Sequence, residues 1–216
     1  RVLRYDTRGH GGSDVPEGPY TLSELVADAV GLLDALGVAK VHFVGLSMGG
    51  MIAQGLALSH PERLGLLALC DTSAFMPPEA QPIVQDRIDT ARREGLAALV
   101  DATLARWFTA GYLRNQGPGV EMIRRIFLSS PPAGYIGCTE AIRHLNYLDE
   151  LTRIERPSLI VVGGEDPGTP VAAAKAIHER IAGSRLVILP SASHLCNIEQ
   201  AQAFNSALTG FLGTGV

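Results

Sequence analysis

The chain is 216 residues long, 46% of them hydrophobic and 19% charged, with a formal charge of −4 and a mean hydropathy of +0.17. That length suits one domain, or one domain with an insertion, and the apolar content excludes a disordered chain. No segment is strongly basic and no apolar run reaches the roughly 18 residues of a membrane span, so neither nucleic acid nor a membrane is an expected partner.

The sequence opens on Arg1, and Val2-Leu3-Arg4-Tyr5-Asp6 reads as the end of a strand. Nothing there has the charged start, apolar stretch and small-residue cleavage site of a signal peptide. The chain is therefore expected to begin inside a fold, as a fragment lacking its first elements. Thr21-Leu22-Ser23-Glu24 has capping-box spacing ahead of Leu25, Val26, Ala29, Leu32, Leu33 and Leu36, and Gly37 stands where a helix-ending glycine belongs. Val41-His42-Phe43-Val44 predicts a buried strand, 48–60 a helix stopped by Pro61, and 64–70 another strand closed by Asp71.

From Met76 to about Glu155 strand-like runs vanish, Pro77-Pro78 and Pro131-Pro132 punctuate, and Arg-rich helical periodicity takes over. This predicts a helical cap over residues 76–155, set between a first core part at 1–75 and a second at 156–216. The alternation resumes with a strand at 157–162, a helix at 171–181 closed by Gly183, a strand at 186–189 and a final helix from about 198 to 212. Strands alternating with helices predict an α/β architecture with a mostly parallel sheet.

Gly45-Leu46-Ser47-Met48-Gly49 lies between a predicted strand and a predicted helix. Gly45 and Gly49 let the backbone turn sharply there, lifting the serine oxygen above the sheet at a helix N-terminus. A serine hydroxyl needs a base to take its proton. His194 follows the last strand directly, whereas His42 sits inside a strand, His60 beside a helix-ending proline and His178 in a polar helical stretch. His10 and His144 lack the strand-end position. The base in turn needs a carboxylate. Asp166, after Val161-Val162-Gly163-Gly164-Glu165, ends a strand; Glu165 and Asp71 are its rivals. The oxyanion of an acyl transfer needs backbone donors, and the N–H of Met48, next to the nucleophile, is one. A second is expected from a loop upstream of Arg1.

These residues, with Tyr5-Asp6-Thr7-Arg8-Gly9-His10-Gly11-Gly12-Ser13, resemble the α/β-hydrolase fold along the whole chain. Leu69 to Ser73, Arg106-Trp107-Phe108, Gly134-Tyr135 with Cys138, Asp166-Pro167-Gly168-Thr169-Pro170 and His194 to Gln200 narrow the likeness to 3-oxoadipate enol-lactonases of the bacterial β-ketoadipate pathway. Cys196 and Asp71 depart from that pattern, which often has Ser and Asn there.

The resemblance implies an N-terminally truncated α/β-hydrolase sheet with a helical cap. It implies a small lactone or ester substrate with a free carboxylate, opened through an acyl-serine, with no metal or organic cofactor. A buried substrate carboxylate calls for an arginine. In the cap Arg106 is the first candidate and Arg143 the second, and Trp107 either packs in the cap or stacks on substrate. The alternatives are a carboxylesterase, a C–C bond hydrolase, a cofactor-free perhydrolase, or a non-catalytic binding protein on this fold. Three well-separated cysteines (Cys70, Cys138, Cys196) without a CxxC pair read as reduced thiols of a cytoplasmic protein. A homo-oligomer is left open.

Overall fold

In the computed structural model, which describes residues 1–215, four parallel strands stand in the order β1-β2-β3-β4: Val41–Leu46, Leu64–Cys70, Ser158–Gly163 and Arg185–Leu189. The central strands are near-continuous apolar runs because both of their faces are covered. β3 is buried at every position and β2 at all but Gly65, while the outer strands β1 and β4 are partly exposed. Alternate β2 side chains face opposite layers. Leu67 and Leu69 pack with α1 (Leu22–Ala35), α2 (Met48–Ser59) and α8 (Val171–Arg180), whereas Leu66, Ala68 and Cys70 pack with Phe204 and Phe211 of α10 (Ala201–Leu212).

Local chemistry sets the ends of these elements. The Thr21 hydroxyl accepts from the Glu24 N–H at 3.2 Å, and the Glu24 carboxylate accepts from the Thr21 N–H at 2.8 Å. This cap is worth about 0.5–2 kcal/mol. Between Val41 and Phe43 the β1–β2 register shifts, and there the His42 Nδ1 accepts the Leu66 N–H at 2.9 Å. This histidine repairs a gap in the ladder.

Between β2 and β3 lie α3 (Gln81–Glu94), α4 (Val100–Trp107), α5 (Ala110–Arg114), α6 (Val120–Ser129) and α7 (Pro132–Arg143), with their own core of Ala91, Leu96, Leu104, Phe108 and Phe127. The segment leaves and returns at one place. Tyr147 N–H donates to the Ala74 carbonyl at 2.7 Å and Met76 N–H to the Leu145 carbonyl at 2.9 Å.

Two expectations are corrected. Residues 2–6 form no strand: no partner lies alongside among the described residues, and Val2 is 91% exposed; extended backbone without a ladder leaves its polar groups to water. The final helix is two pieces, α9 (Cys196–Glu199) and α10, because Gln200 takes φ −124° and ψ 46°. No helix among the described residues is long and apolar enough to cross a membrane.

Candidate active site

The carboxyl ends of the four strands lead into Ser47, Asp71, Asp166 and His194 in turn, the edge of an open parallel sheet where ligands bind. Ser47 has φ 54° and ψ −118°, a strained conformation for a residue with a side chain. The surroundings hold it there: its N–H donates to the Cys70 carbonyl at 2.9 Å, and the Thr72 hydroxyl donates to its carbonyl at 2.8 Å. A Cβ on Gly45 would sit 2.1 Å from the Gly49 carbonyl oxygen, so only glycine fits where strand and helix meet. Gly49, expected to share that role, does not: a Cβ there meets nothing within 4 Å. The second close approach belongs to Gly50, whose Cβ would lie 2.6 Å from the Thr72 Cβ.

His194 is 7% exposed. Its Nε2 lies 2.9 Å from the Ser47 Oγ, and its Nδ1 lies 2.7 Å from the Asp166 Oδ2. The three side chains thus form one hydrogen-bonded chain. With Nδ1–H donating to the carboxylate, Nε2 is the free acceptor for the serine proton. Asp166 also receives the Gly168 N–H (2.7 Å), the Thr169 N–H (3.0 Å) and the Thr169 hydroxyl (2.6 Å). Burial alone would raise its carboxyl, but the hydrogen bond and charge of His194, with the Thr169 donors, hold it below the ordinary carboxylate value.

The rival acids stand elsewhere. Glu165 is exposed. Asp71 is fully buried, and accepts the Gly163 N–H at 2.7 Å and the Cys196 thiol at 2.7 Å rather than the imidazole. Burial pushes its carboxyl up to about 6, against the opposing pull of those two donors and of His194. All three cysteines are buried and unpaired in disulfides; burial pushes the Cys138 thiol up to about 12, far from a nucleophilic thiolate. Among the described residues no group of three or more His, Cys, Asp or Glu could hold a metal ion.

Met48 opens α2, so its N–H has no carbonyl partner within the helix. The cap contributes α4. Arg106 is half-buried there, with only 3.4 Å contacts to the Ala102 carbonyl and the Thr103 hydroxyl. No carboxylate among the described residues lies within ion-pair distance of it. Burial, reinforced by Arg87, lowers its guanidinium from the usual value, while Tyr135 and Asp166 pull the other way. Trp107 packs edge-on against Phe127, centroids 5.7 Å apart, and stacks on the His194 ring at 6.3 Å.

Arg143 is not free for a ligand. Its guanidinium reaches the Gln81 Oε1 (3.1 Å), the Gln85 Oε1 (2.5 Å) and the Glu140 carboxylate (3.1 Å), tying α7 to α3. Sequence reasoning missed Thr72, Thr169 and Glu199. For Thr169 a signal existed: a strand-end aspartate forms a side-chain turn with the N–H two residues on, here Gly168, which brings the next residue beside the carboxylate. For the others, whose contacts cross 25 and 90 residues, none did.

Residues 1–207 match the alpha/beta hydrolase family. 3-oxoadipate enol-lactonase 2 of Acinetobacter baylyi is 39% identical over 207 residues, 96% of this chain and 76% of that protein. A crystal structure of a hydrolase from Pseudomonas aeruginosa superposes with a TM-score of 0.94 at 42% identity, covering 99% of this chain and 80% of the other. An enol-lactonase from Burkholderia xenovorans gives 0.93 at 42% identity, covering 97% and 80%.

Proposed function

The chain belongs to the α/β hydrolase family, and from that premise we propose that it opens a small carboxylate-bearing lactone, 3-oxoadipate enol-lactone, through an acyl-serine. The observation that carries the mechanism is the bond from His194 Nε2 to Ser47 Oγ at 2.9 Å, backed by Asp166 on the other ring nitrogen.

The Ser47 oxygen attacks the lactone carbonyl carbon while His194 takes its proton. The Asp166 carboxylate keeps the imidazole oriented and offsets the charge it gains. The oxyanion points to the Met48 N–H and the positive end of α2. The ring C–O bond then breaks, and the departing enol oxygen takes the proton from His194 and relaxes to the ketone. Water, deprotonated by His194, attacks the acyl-serine carbonyl carbon, and the C–Oγ bond breaks as His194 returns the proton to Oγ, giving 3-oxoadipate and free Ser47. Arg106 meets the substrate carboxylate with its paired N–H donors; its position in the cap, with no acidic partner among the described residues, supports this. The names of the enol-lactonase relatives support the choice of lactone; that substrate would place the chain in the β-ketoadipate branch of aromatic degradation, and its three cysteines free of disulfides suit the cytoplasm.

An uncharged fluorophosphonate that labels reactive serines tests the nucleophile, and turnover of 3-oxoadipate enol-lactone tests the substrate. The chain should be labelled, the Ser47→Ala variant should not, and the enol-lactone should be opened faster than an uncharged lactone of the same ring size. Labelling that survives Ser47→Ala would remove the mechanism. Equal rates on both lactones would remove the substrate.

A further inference from the structure

The cap and the histidine loop are joined by a single carboxylate that the chemistry above does not use. Glu199 ends α9, and its Oε2 accepts the Ser193 N–H at 2.6 Å, one residue before His194. Its Oε1 accepts the Thr109 N–H at 2.9 Å and the Thr109 hydroxyl at 2.7 Å, where the cap chain turns from α4 into α5. Two direct bonds flank this bridge: the Ser193 hydroxyl donates to the Arg106 carbonyl at 2.8 Å, and Leu195 N–H donates to the Trp107 carbonyl at 3.0 Å. The cap segment held in this way is the one carrying Arg106 and Trp107.

We infer that Glu199 is a positioning residue for substrate selection: by clamping residues 106–109 to the loop of 193–195, it fixes the distance between the guanidinium that takes the substrate carboxylate and the imidazole that serves Ser47. This rests on the carboxylate-bearing substrate proposed above. The physical reason is that a carboxylate offers two acceptor oxygens and no donor, and this site presents the backbone N–H groups of Thr109 and Ser193, 84 residues apart in the chain. Glutamine has nearly the same shape, but one of its ends donates. Either the Ser193 N–H or the Thr109 N–H then faces an N–H and loses its acceptor, and the clamp opens on one side.

The test is Glu199→Gln, compared on a carboxylate-bearing lactone and on its uncharged methyl ester. The expected result is a fall of about ten-fold in the ratio of the two kcat/KM values, the size of one lost charge-assisted bond, expressed mainly in KM of the charged lactone. In an Arg106→Ala background the same exchange should leave that ratio unmoved. A ratio unchanged by Glu199→Gln, or one that falls equally without Arg106, would show that Glu199 only holds the histidine loop.

Trp107 is the single tryptophan and supplies a readout that needs no substrate. Quenching of its fluorescence by acrylamide should increase in Glu199→Gln if the clamp opens, and unchanged quenching would overturn the clamp itself. If the wild-type protein does not distinguish the two substrates while the quenching still rises, the carboxylate reading has failed and the clamp has not.

Discussion

Trp107 lies nearly parallel to His194, with ring centroids 6.3 Å apart and planes 24° from coplanar. The indole is itself wedged edge-on against Phe127. The imidazole is therefore bounded by an aromatic ring from the cap as well as by its two hydrogen bonds, so a residue inserted between β2 and β3 limits how far the base can tilt.

Trp107→Ala should accordingly lower kcat on an uncharged aryl ester. An aromatic pair is worth about 0.5–1.5 kcal/mol beyond its buried area, which corresponds to a loss of about two- to ten-fold. Trp107→Phe keeps a ring in place and should recover most of it. Equal losses in both variants would mean that the indole acts by filling volume in the cap.

Asp166 is held by four donors, counting His194. Asp166→Asn presents an amide to the imidazole and favours the wrong tautomer, so kcat should fall by about 10³ to 10⁴ while the fold persists. Thr169→Val removes one hydroxyl donor and leaves the two backbone donors and the imidazole. A hydrogen bond to a charged group is worth about 1.5–3 kcal/mol, and a loss of about ten-fold in kcat follows if part of that reaches the transition state. Steady-state kinetics with matched thermal melts separates these effects from unfolding.

Much of this site is visible in the linear chain because its determinants are local. An apolar run ending in Gly45, a serine and a helix pattern, or a run ending in Asp166 ahead of Pro167, each fixes a strand end within about ten residues. The parallel sheet then gathers those ends on one side. What could not be read depends on distant partners. Arg143 looks as available as Arg106 until Gln81 and Gln85, 62 and 58 residues away, are folded against it. Residues 2–6 have strand composition, yet a strand is a pairing property and no partner lies beside them among the described residues. Gly49 fits the motif, while the contact that excludes a side chain falls on Gly50 because Thr72 arrives from the next strand.

Arg106 faces no carboxylate within the described residues, and this sets its expected kinetics. Arg106→Ala should raise KM for a carboxylate-bearing lactone by about 10- to 100-fold, the range for one or two charge-assisted hydrogen bonds. Simple aryl esters carry no charge for it to meet and should be spared. Equal losses on both substrates would place Arg106 in cap packing rather than in substrate binding.

The glycines on either side of Ser47 make contrary predictions for the same substitution. In Gly45→Ala the new methyl meets backbone atoms of Gly49 and Gly50 at 2.1 to 2.6 Å, which no rotamer relieves. Stability should drop by about 3 kcal/mol or more, or the chain should fail to fold. Gly49→Ala meets nothing within 4 Å and lies inside α2, where alanine is favoured over glycine by about 0.5–1 kcal/mol. Urea midpoints should therefore fall steeply for the first variant and stay level or rise for the second.

Asp71 predicts a pH dependence of stability whose sign is opposite to that of most acids. Its carboxyl is raised from 3.8 to about 6 by burial. Between those values the folded chain keeps a proton that the unfolded chain has released, so stability falls as pH rises through the window. The slope reaches at most about 1.4 kcal/mol per pH unit from this group. Asp166, held below its ordinary value, acts the other way, and its contribution is lost only as pH falls below about 4. Asp71→Asn should flatten the slope between about pH 4 and 6. At pH 7 it should be as stable as the parent or more so, since asparagine cannot ionise and its oxygen can still accept the Gly163 N–H. Position 71 also has φ 40°, which asparagine tolerates well. Urea unfolding at several pH values checks this: the same slope in parent and variant would assign the titration to another group.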